Sequence, residues 1–185
     1  MKEGEKMKKR MILLITAVAL LTVSVGVTLA ILMDSPKAVE NTFTIGNVKI
    51  TLNETTGNEY KIAPGVTHIK DPAVTLKAES DACWLFVRVN KSTHFDSFFT
   101  YEMHDGWLPL PQNSGVYYMQ VPSTGVDRVY KVLKNDRIYV KDSITEENLS
   151  TITVNPTLDF TAYAIQYDGF ENAEAAWKEL NKKEE

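Results

Sequence analysis

The amino-acid sequence predicts an all-β fold: an antiparallel β-sandwich of jelly-roll type with one short C-terminal helix, preceded by an N-terminal hydrophobic signal helix. Apolar residues alternate with a period of two through most of the chain from residue 43 onwards, as in half-buried strands. Gly, Pro, Asn and Asp turn signals separate these runs at the spacing typical of a sandwich. No β-α-β alternation is visible, which favours antiparallel sheets.

The first 30 residues are predicted to be an export signal. Residues 1–10 carry five basic and two acidic side chains, and residues 11–30 carry no charge. Thr28 and Ala30 supply the small residues that a signal peptidase requires, so we expect cleavage between Ala30 and Ile31. The alternative is a permanent membrane anchor, because about 20 apolar residues are enough to span a bilayer.

Cleavage would leave one acidic domain. It would remove 30 of 185 residues and move the formal charge from −4 to −7. The remainder is long enough to bury its own core, and its acidity makes nucleic acid an unexpected partner. Cys83 is the only cysteine, which excludes an intramolecular disulfide, and its apolar surroundings in the sequence predict a buried, inert thiol.

The mature chain is expected to begin with a mobile segment, residues 31–42, which is polar and interrupted by a proline. Residues 43–185 are predicted to form a single sandwich domain. A bend at Gly46-Asn47 precedes its first clear strand. That strand has three apolar residues on one face: Val48, Ile50 and Leu52.

Two later strands carry apolar side chains on both faces, which predicts that both are central in a sheet. In residues 83–90, Trp84 and Phe86 lie on the face opposite Leu85, and residues 158–167 alternate in the same way.

Shorter strands and a helix complete the prediction. Two strands are expected in residues 60–80, around a Pro64-Gly65 turn and an Asp71-Pro72 break, and the others are expected at residues 94–103, 115–121, 127–133, 136–140 and 150–154. Asn135-Asp136 is predicted to be a turn between two of them. The helix is predicted over residues 171–182, with Asn172 as its N-cap and one apolar stripe: Phe170, Ala173, Trp177 and Leu180.

The sequence contains no recognisable catalytic apparatus. Its three histidines, His68, His94 and His104, stand in no spacing that would place two imidazoles on one face of an element. Nucleophile-elbow, phosphate-loop and dinucleotide-binding motifs are also missing from the sequence. We therefore expect no enzyme, no catalytic, cofactor-binding or metal-binding residues, and no cofactor.

Three weaker possibilities can be weighed from residue types. His94 and His104 could gather nearby carboxylates (Asp96, Glu102 and Asp105) around a cation, and Asp142 with Glu146 and Glu147 could bind calcium. Solvated loops are the favoured reading of both groups. The aromatic residues Phe98, Phe99, Tyr101, Trp107, Tyr117 and Tyr118 could stack on sugars, although a place in the core is favoured.

Both ends of the chain resemble a known family. Residues 28–54 resemble the start of the TasA and camelysin-like exported proteins, in which a signal ending in small residues and a short polar link precede the pattern T-F-x-x-G-x-[VL]-x-[ILV]. The residues that match this pattern are Thr42, Phe43, Gly46, Val48 and Ile50, followed by Pro64-Gly65 and Asp71-Pro72. Residues 162–177 resemble the last strand and the Ala-rich helix of this group.

The resemblance implies a jelly-roll domain, processing by a SipW-type signal peptidase, contact with the membrane during export, and a place in surface fibres. In fibre-forming relatives an N-terminal stretch is donated as a strand to the next subunit. Here that stretch and its junction would include Asp34, Thr42, Phe43 and Gly46. The camelysin branch is described as metallopeptidase-like, but this sequence lacks a recognised zinc spacing.

The leading hypothesis is a secreted bacterial cell-surface or biofilm-matrix protein that associates with itself or with other matrix proteins, by strand pairing and without turnover. If the signal is retained, the protein would be membrane-anchored. The alternatives are a camelysin-like metal-dependent surface peptidase and a monomeric surface adhesin or ligand-binding module.

Overall fold

The computed structural model describes residues 31–34, 41–56, 59–150, 152 and 154–182. The signal helix predicted for residues 1–30, with Thr28 and Ala30, lies outside the described residues. The strands are β1 Ile31–Asp34, β2 Asn41–Ile45, β3 Ile50–Asn53, β4 Glu59–Ile62, β5 Thr67–Ile69, β6 Ala73–Leu76, β7 Cys83–Lys91, β8 Phe99–Met103, β9 Leu108–Pro109, β10 Val116–Val121, β11 Arg128–Lys131, β12 Leu133–Val140 and β13 Leu158–Gln166. The helices are α1 Phe95–Phe98, α2 Glu146–Ser150 and α3 Ala173–Asn181.

The first layer is a five-stranded sheet in the order β2-β13-β7-β10-β9. β13 and β7 pair antiparallel along their full lengths, from Leu158 opposite Lys91 to Gln166 opposite Cys83. Both strands lie inside the sheet, so the prediction that they are central is confirmed.

The second layer combines two three-stranded sheets, β11-β6-β3 and β5-β12-β8. Backbone hydrogen bonds join them where the chain passes from one to the other: Val132 N donates to Pro72 O at 3.0 Å and Lys70 N donates to Asp136 O at 2.8 Å. β1 and β4 form a separate antiparallel pair. The fold is therefore all-β and sandwich-like, as predicted.

The main hydrophobic core lies between the two layers. Strand β7 contributes side chains to this core from one face and to a second cluster from the other. Leu85 and Val87 are fully buried in this core, whereas Trp84 and Phe86 belong to a second cluster on the opposite face. Burial of each large apolar side chain contributes about 1.5–3 kcal/mol. A strand that is apolar on both faces therefore needs cover on both, which the second layer and α3 provide.

Helix α3 covers the outer face of the five-stranded sheet. The side chain of Asn172 accepts a hydrogen bond from Ala175 N at 2.9 Å, which confirms the predicted N-cap. The buried residues of the helix are Ala173, Ala176, Trp177 and Leu180. The predicted stripe thus faces the sheet, and the helix itself spans Ala173–Asn181, slightly less than the predicted residues 171–182.

One predicted strand is confirmed only in part, and another is wrong. Residues 94–103 were expected to be one strand, and Phe99–Met103 do form β8. Phe95–Phe98 instead form helix α1, because Phe95 and Phe98 at helical spacing are both buried. Residues 150–154 were also expected to be a strand. Ser150 instead ends α2, and the described residues Ile152 and Val154 lie outside any strand.

The predicted turn at Asn135-Asp136 is also wrong. Both residues have left-handed backbone conformations, with φ values of 57° and 54°, but they lie inside β12. The register against β8 shifts between Leu133 and Ile138, so this pair forms a bulge that continues the strand. Residues 60–80 yield three strands, β4 to β6, where two were expected.

Candidate functional site: the N-terminal edge strand

The predicted junction residues Thr42 and Phe43 lie in β2, at the edge of the five-stranded sheet. β2 pairs in parallel with β13, with Thr42 opposite Ala162 and Phe43 opposite Tyr163. A parallel pair requires a crossover connection. Here almost the whole domain lies between the two strands, so β2 could leave its edge without displacing another strand of the five-stranded sheet.

β2 buries little of its own surface. Phe43 is 44% exposed, Thr44 is exposed, and Thr42 and Ile45 are half-buried. The β13 residues opposite are buried, with Tyr163 only 2% exposed. Backbone hydrogen bonds therefore hold β2 more than side-chain burial does. Its departure would leave an unpaired edge along β13, which is a template for another strand.

One cluster of side chains, here called the aromatic anchor, fixes β2 to the outer face of the sheet. The ring of Phe43 stacks on that of Tyr163, which meets Trp177 edge-on at 4.9 Å between centroids. The Arg88 guanidinium carbon lies 5.2 Å from the Tyr163 ring and 5.0 Å from the Trp177 ring. Arg88 Nη2 also donates to Asn181 Oδ1 at 3.0 Å. Of the residues in the aromatic anchor, only Phe43 was among the junction residues predicted from the sequence.

Gly46 is the point where the chain leaves β2, as the predicted bend required. Its φ is +91°, a conformation that favours glycine. A Cβ atom at this position would lie 2.6 Å from Gln166 Oε1 and 3.0 Å from Gln166 Cβ. Gln166 is the last residue of β13, so the close approach of these two chain segments depends on glycine.

Ile31 and Asp34, the other predicted site residues, form the ends of β1. Ile31 lies opposite Ile62 and Asp34 opposite Glu59, in an antiparallel pair with β4. The segment 31–42, expected to be mobile, is therefore strand at both of its ends. Residues 35–40, which connect β1 to β2, lie outside the described residues.

The structure does not bring the candidate cation ligands together. The exposed His94 precedes α1, and His104 Nδ1 lies 3.0 Å from Asp105 O. Asp142, Glu146 and Glu147 are exposed around α2. Across the described ranges, no three His, Cys, Asp or Glu side chains are grouped so that they could hold a metal ion.

The aromatic residues considered for sugar binding are used in packing. Trp107 is buried, and its Nε1 donates to Lys131 O at 2.8 Å. Phe99 is fully buried, and Tyr117 packs against the main core. These rings therefore occupy the core position that the sequence analysis favoured.

A crevice of about 310 Å³ opens beside these rings and is lined by Lys91, Asp96, Tyr101, Tyr117 and Lys141, among others. Lys91 Nζ donates to both carboxylate oxygens of Asp96, at 2.9 and 2.7 Å. Burial raises the pKa of Tyr101, and the neighbouring Tyr117 raises it further. Because Lys91 is already engaged by Asp96, the crevice offers a weaker binding argument than the open edge at β2.

Comparison with protein-family models, with curated proteins and with solved structures finds no match to this chain. None of the helices in the described part of the chain has the length and apolar character needed to cross a bilayer. The functional assignment therefore rests on the chain's own residues.

Proposed function

We propose that this protein is a secreted structural subunit of a bacterial cell surface or biofilm matrix, with a jelly-roll type of sandwich, and that it assembles by donating its N-terminal strand. The observation that carries the proposal is the edge position of β2, which pairs in parallel with β13 and buries little of its own surface. An N-terminal signal of the exported type supports secretion.

In this assembly β2 leaves its own β13 and pairs with the β13 of the next copy. The backbone ladder and the aromatic anchor are re-formed between copies, so few contacts are lost in the exchange. This is domain swapping of an identical element, which costs little and becomes favoured at high protein concentration. Gly46 is the hinge at one end of the moving strand, because its φ of +91° already marks the turn into the domain.

The donated strand pairs with the same edge that it covers in the monomer, so repeated exchange would generate a head-to-tail chain of subunits. A SipW-type signal peptidase would free the N-terminus by cutting before Ile31. Other matrix proteins with an unpaired strand could occupy the same edge.

A deletion of residues 31–42 tests the proposal. The deletion removes β1 and the first two residues of β2, and we expect a folded protein that no longer assembles. The readouts are circular dichroism for folding, and size-exclusion chromatography with electron microscopy for assembly. Thr44→Ala is a matched control, because it changes an exposed residue of β2 and should leave assembly intact.

The behaviour of the deletion variant and of the wild-type protein also distinguishes strand donation from the adhesin and peptidase hypotheses. Unchanged assembly by the deletion variant would contradict strand donation. A wild-type protein that stays monomeric and retains a glycan or a host protein would favour the adhesin hypothesis. Stoichiometric zinc, with proteolysis that is lost in His94→Ala or His104→Ala, would favour the peptidase hypothesis.

A further inference from the structure

A lysine is buried where the two layers of the sandwich meet. Lys70, directly after β5, is 4% exposed, and its Nζ lies 2.6 Å from Oε1 of Glu54, directly after β3. The side chains of both residues are 5% exposed. This is the most deeply enclosed ion pair that the described residues contain.

The surroundings of this pair are aromatic. Lys70 Nζ lies 5.8 Å from the centre of the Tyr60 ring and 5.7 Å from that of Phe160. Within the described residues Glu54 is the hydrogen-bond acceptor found for this ammonium group, which has three N–H donors. Two charges enclosed in this way cost several kcal/mol each in desolvation. An amide bond between the two side chains would carry no charge and would remove this cost.

The same contact holds the two groups that an amide bond would join in one enclosed position. The Lys70 nitrogen would form a C–N bond to Cδ of Glu54. The C–O bond to one carboxyl oxygen would break, and that oxygen would leave as water with two of the three protons of the ammonium group. No oxidant or second reactant is needed.

Tyr60 adds a proton donor beside the pair. Its side chain is buried. Burial raises the pKa of Tyr60, Thr56 lowers it, and the charges of Glu54 and Asp71 raise it further, so that the net shift is upward. The hydroxyl therefore stays protonated and is the proton donor that we assign to the leaving oxygen.

The neighbouring carboxylate of Asp71 is a poorer acyl partner. Asp71 Oδ1 accepts hydrogen bonds from Thr55 N and Thr56 N, each at 3.0 Å, and Oδ2 accepts from the Thr55 hydroxyl. These bonds hold the Asp71 carboxylate on Thr55 and Thr56, whereas Glu54 makes the contact with Lys70.

We propose that Lys70 and Glu54 become joined by an intramolecular amide bond, with Tyr60 assisting its formation. The bond would link the ends of β3 and β5, which are 16 residues apart along the chain. It would restrict the unfolded chain as a disulfide does, in a protein whose single cysteine cannot form one internally. This proposal is independent of strand donation.

Intact-mass spectrometry of the full chain, purified in detergent or in the form that the host releases, tests the proposal. The wild-type protein is expected to be lighter than its sequence mass by one water molecule. Proteolysis should yield a branched peptide that joins the segment containing Glu54 to the segment containing Lys70. Lys70→Arg, which keeps the positive charge, should restore the full sequence mass, and Tyr60→Phe should slow the loss of water.

Two results would overturn the bond: a wild-type protein that keeps its full mass on prolonged incubation, or a loss of water that maps to other residues such as Asp71. Both are read from the wild-type chain, so the test does not depend on a variant that folds. Equal rates of water loss in wild type and Tyr60→Phe would overturn the role of Tyr60 alone.

Discussion

The rings of Phe43 and Tyr163 stack with their centroids 5.2 Å apart and their planes 16° from parallel, although Phe43 is 44% exposed. This contact joins β2, the first strand of the five-stranded sheet, to β13, one of its two nine-residue central strands. Because Thr42, Thr44 and Ile45 are also partly or fully exposed, this ring should determine how often β2 leaves the edge of the sheet.

Phe43→Ala is expected to loosen β2 while the rest of the domain stays folded. An aromatic pair of this kind contributes about 0.5–1.5 kcal/mol beyond its buried area. Hydrogen exchange of the amides in residues 41–45 should accelerate by about two- to twelvefold, as that free energy implies. Thr44→Ala is the control, and equal exchange in both variants would show that the ring does not hold the strand.

Cys83 is expected to be unreactive in the folded protein. Burial raises the pKa of its thiol to about 12, and the side chain is fully buried. Alkylation by iodoacetamide at about pH 8 should be more than tenfold slower in the native protein than in denaturant, because the thiolate is the reactive form. Labelling of the native protein at the unfolded rate would show that this strand opens readily.

The stability of the domain should depend on Asp71 in a defined direction. Burial acts to raise the pKa of Asp71, but hydrogen bonds from Thr55 and Thr56 outweigh it and lower the pKa below its ordinary value of 3.8. The ionised carboxylate therefore stabilises the fold above this value, and the contribution is lost as the pH falls through the folded pKa.

Asp71→Asn should accordingly destabilise the protein at neutral pH, and its difference from the wild type should shrink below about pH 4. Urea denaturation at several pH values measures both quantities. Asp81→Asn, at an exposed position, is the control variant. A difference that grows towards acid pH would contradict this account of Asp71.

Helix α3 should depend on its N-cap. Asn172→Ala removes the acceptor for Ala175 N and is expected to cost about 1 kcal/mol, whereas Asn172→Asp should keep the cap. Thermal unfolding compares the two variants. If they are equally stable, packing of Trp177 and Leu180 holds the helix without help from the cap.

The bulge in β12 gives a backbone test. Asn135 has a φ of 57°, so a β-branched residue there should be strained by about 1–2 kcal/mol, whereas glycine should be tolerated. Asn135→Val and Asn135→Gly form the matched pair, and urea denaturation compares them. Equal destabilisation by both would indicate that the Asn135 side chain, and not its backbone conformation, is important.

Several features could be predicted because they depend on local pattern. The two-sided alternation of residues 83–90 and 158–167 predicted two central strands, and a helical stripe with an Asn cap predicted α3. The failures share a cause. Phe95 and Phe98 lie in an aromatic run that is typical of strands, but they are three residues apart, and a helical turn buries both side chains on one face. At Asn135-Asp136, the same residue types serve a turn and a bulge, and the pairing of β12 with β5 and β8 selected the bulge.

The features of the candidate site also fall into two groups: those that a local sequence pattern predicts and those that depend on contacts between distant residues. A glycine-marked change of period is a local signal, so Phe43 and Gly46 could be predicted at the junction between the N-terminal segment and the first strands. The stacking of Phe43 on Tyr163, the support of this stack by Arg88, and the contact of Glu54 with Lys70 follow from the folded arrangement of the strands. Such contacts join residues distant in sequence, and their partners are set by sheet order and register, which no local pattern encodes.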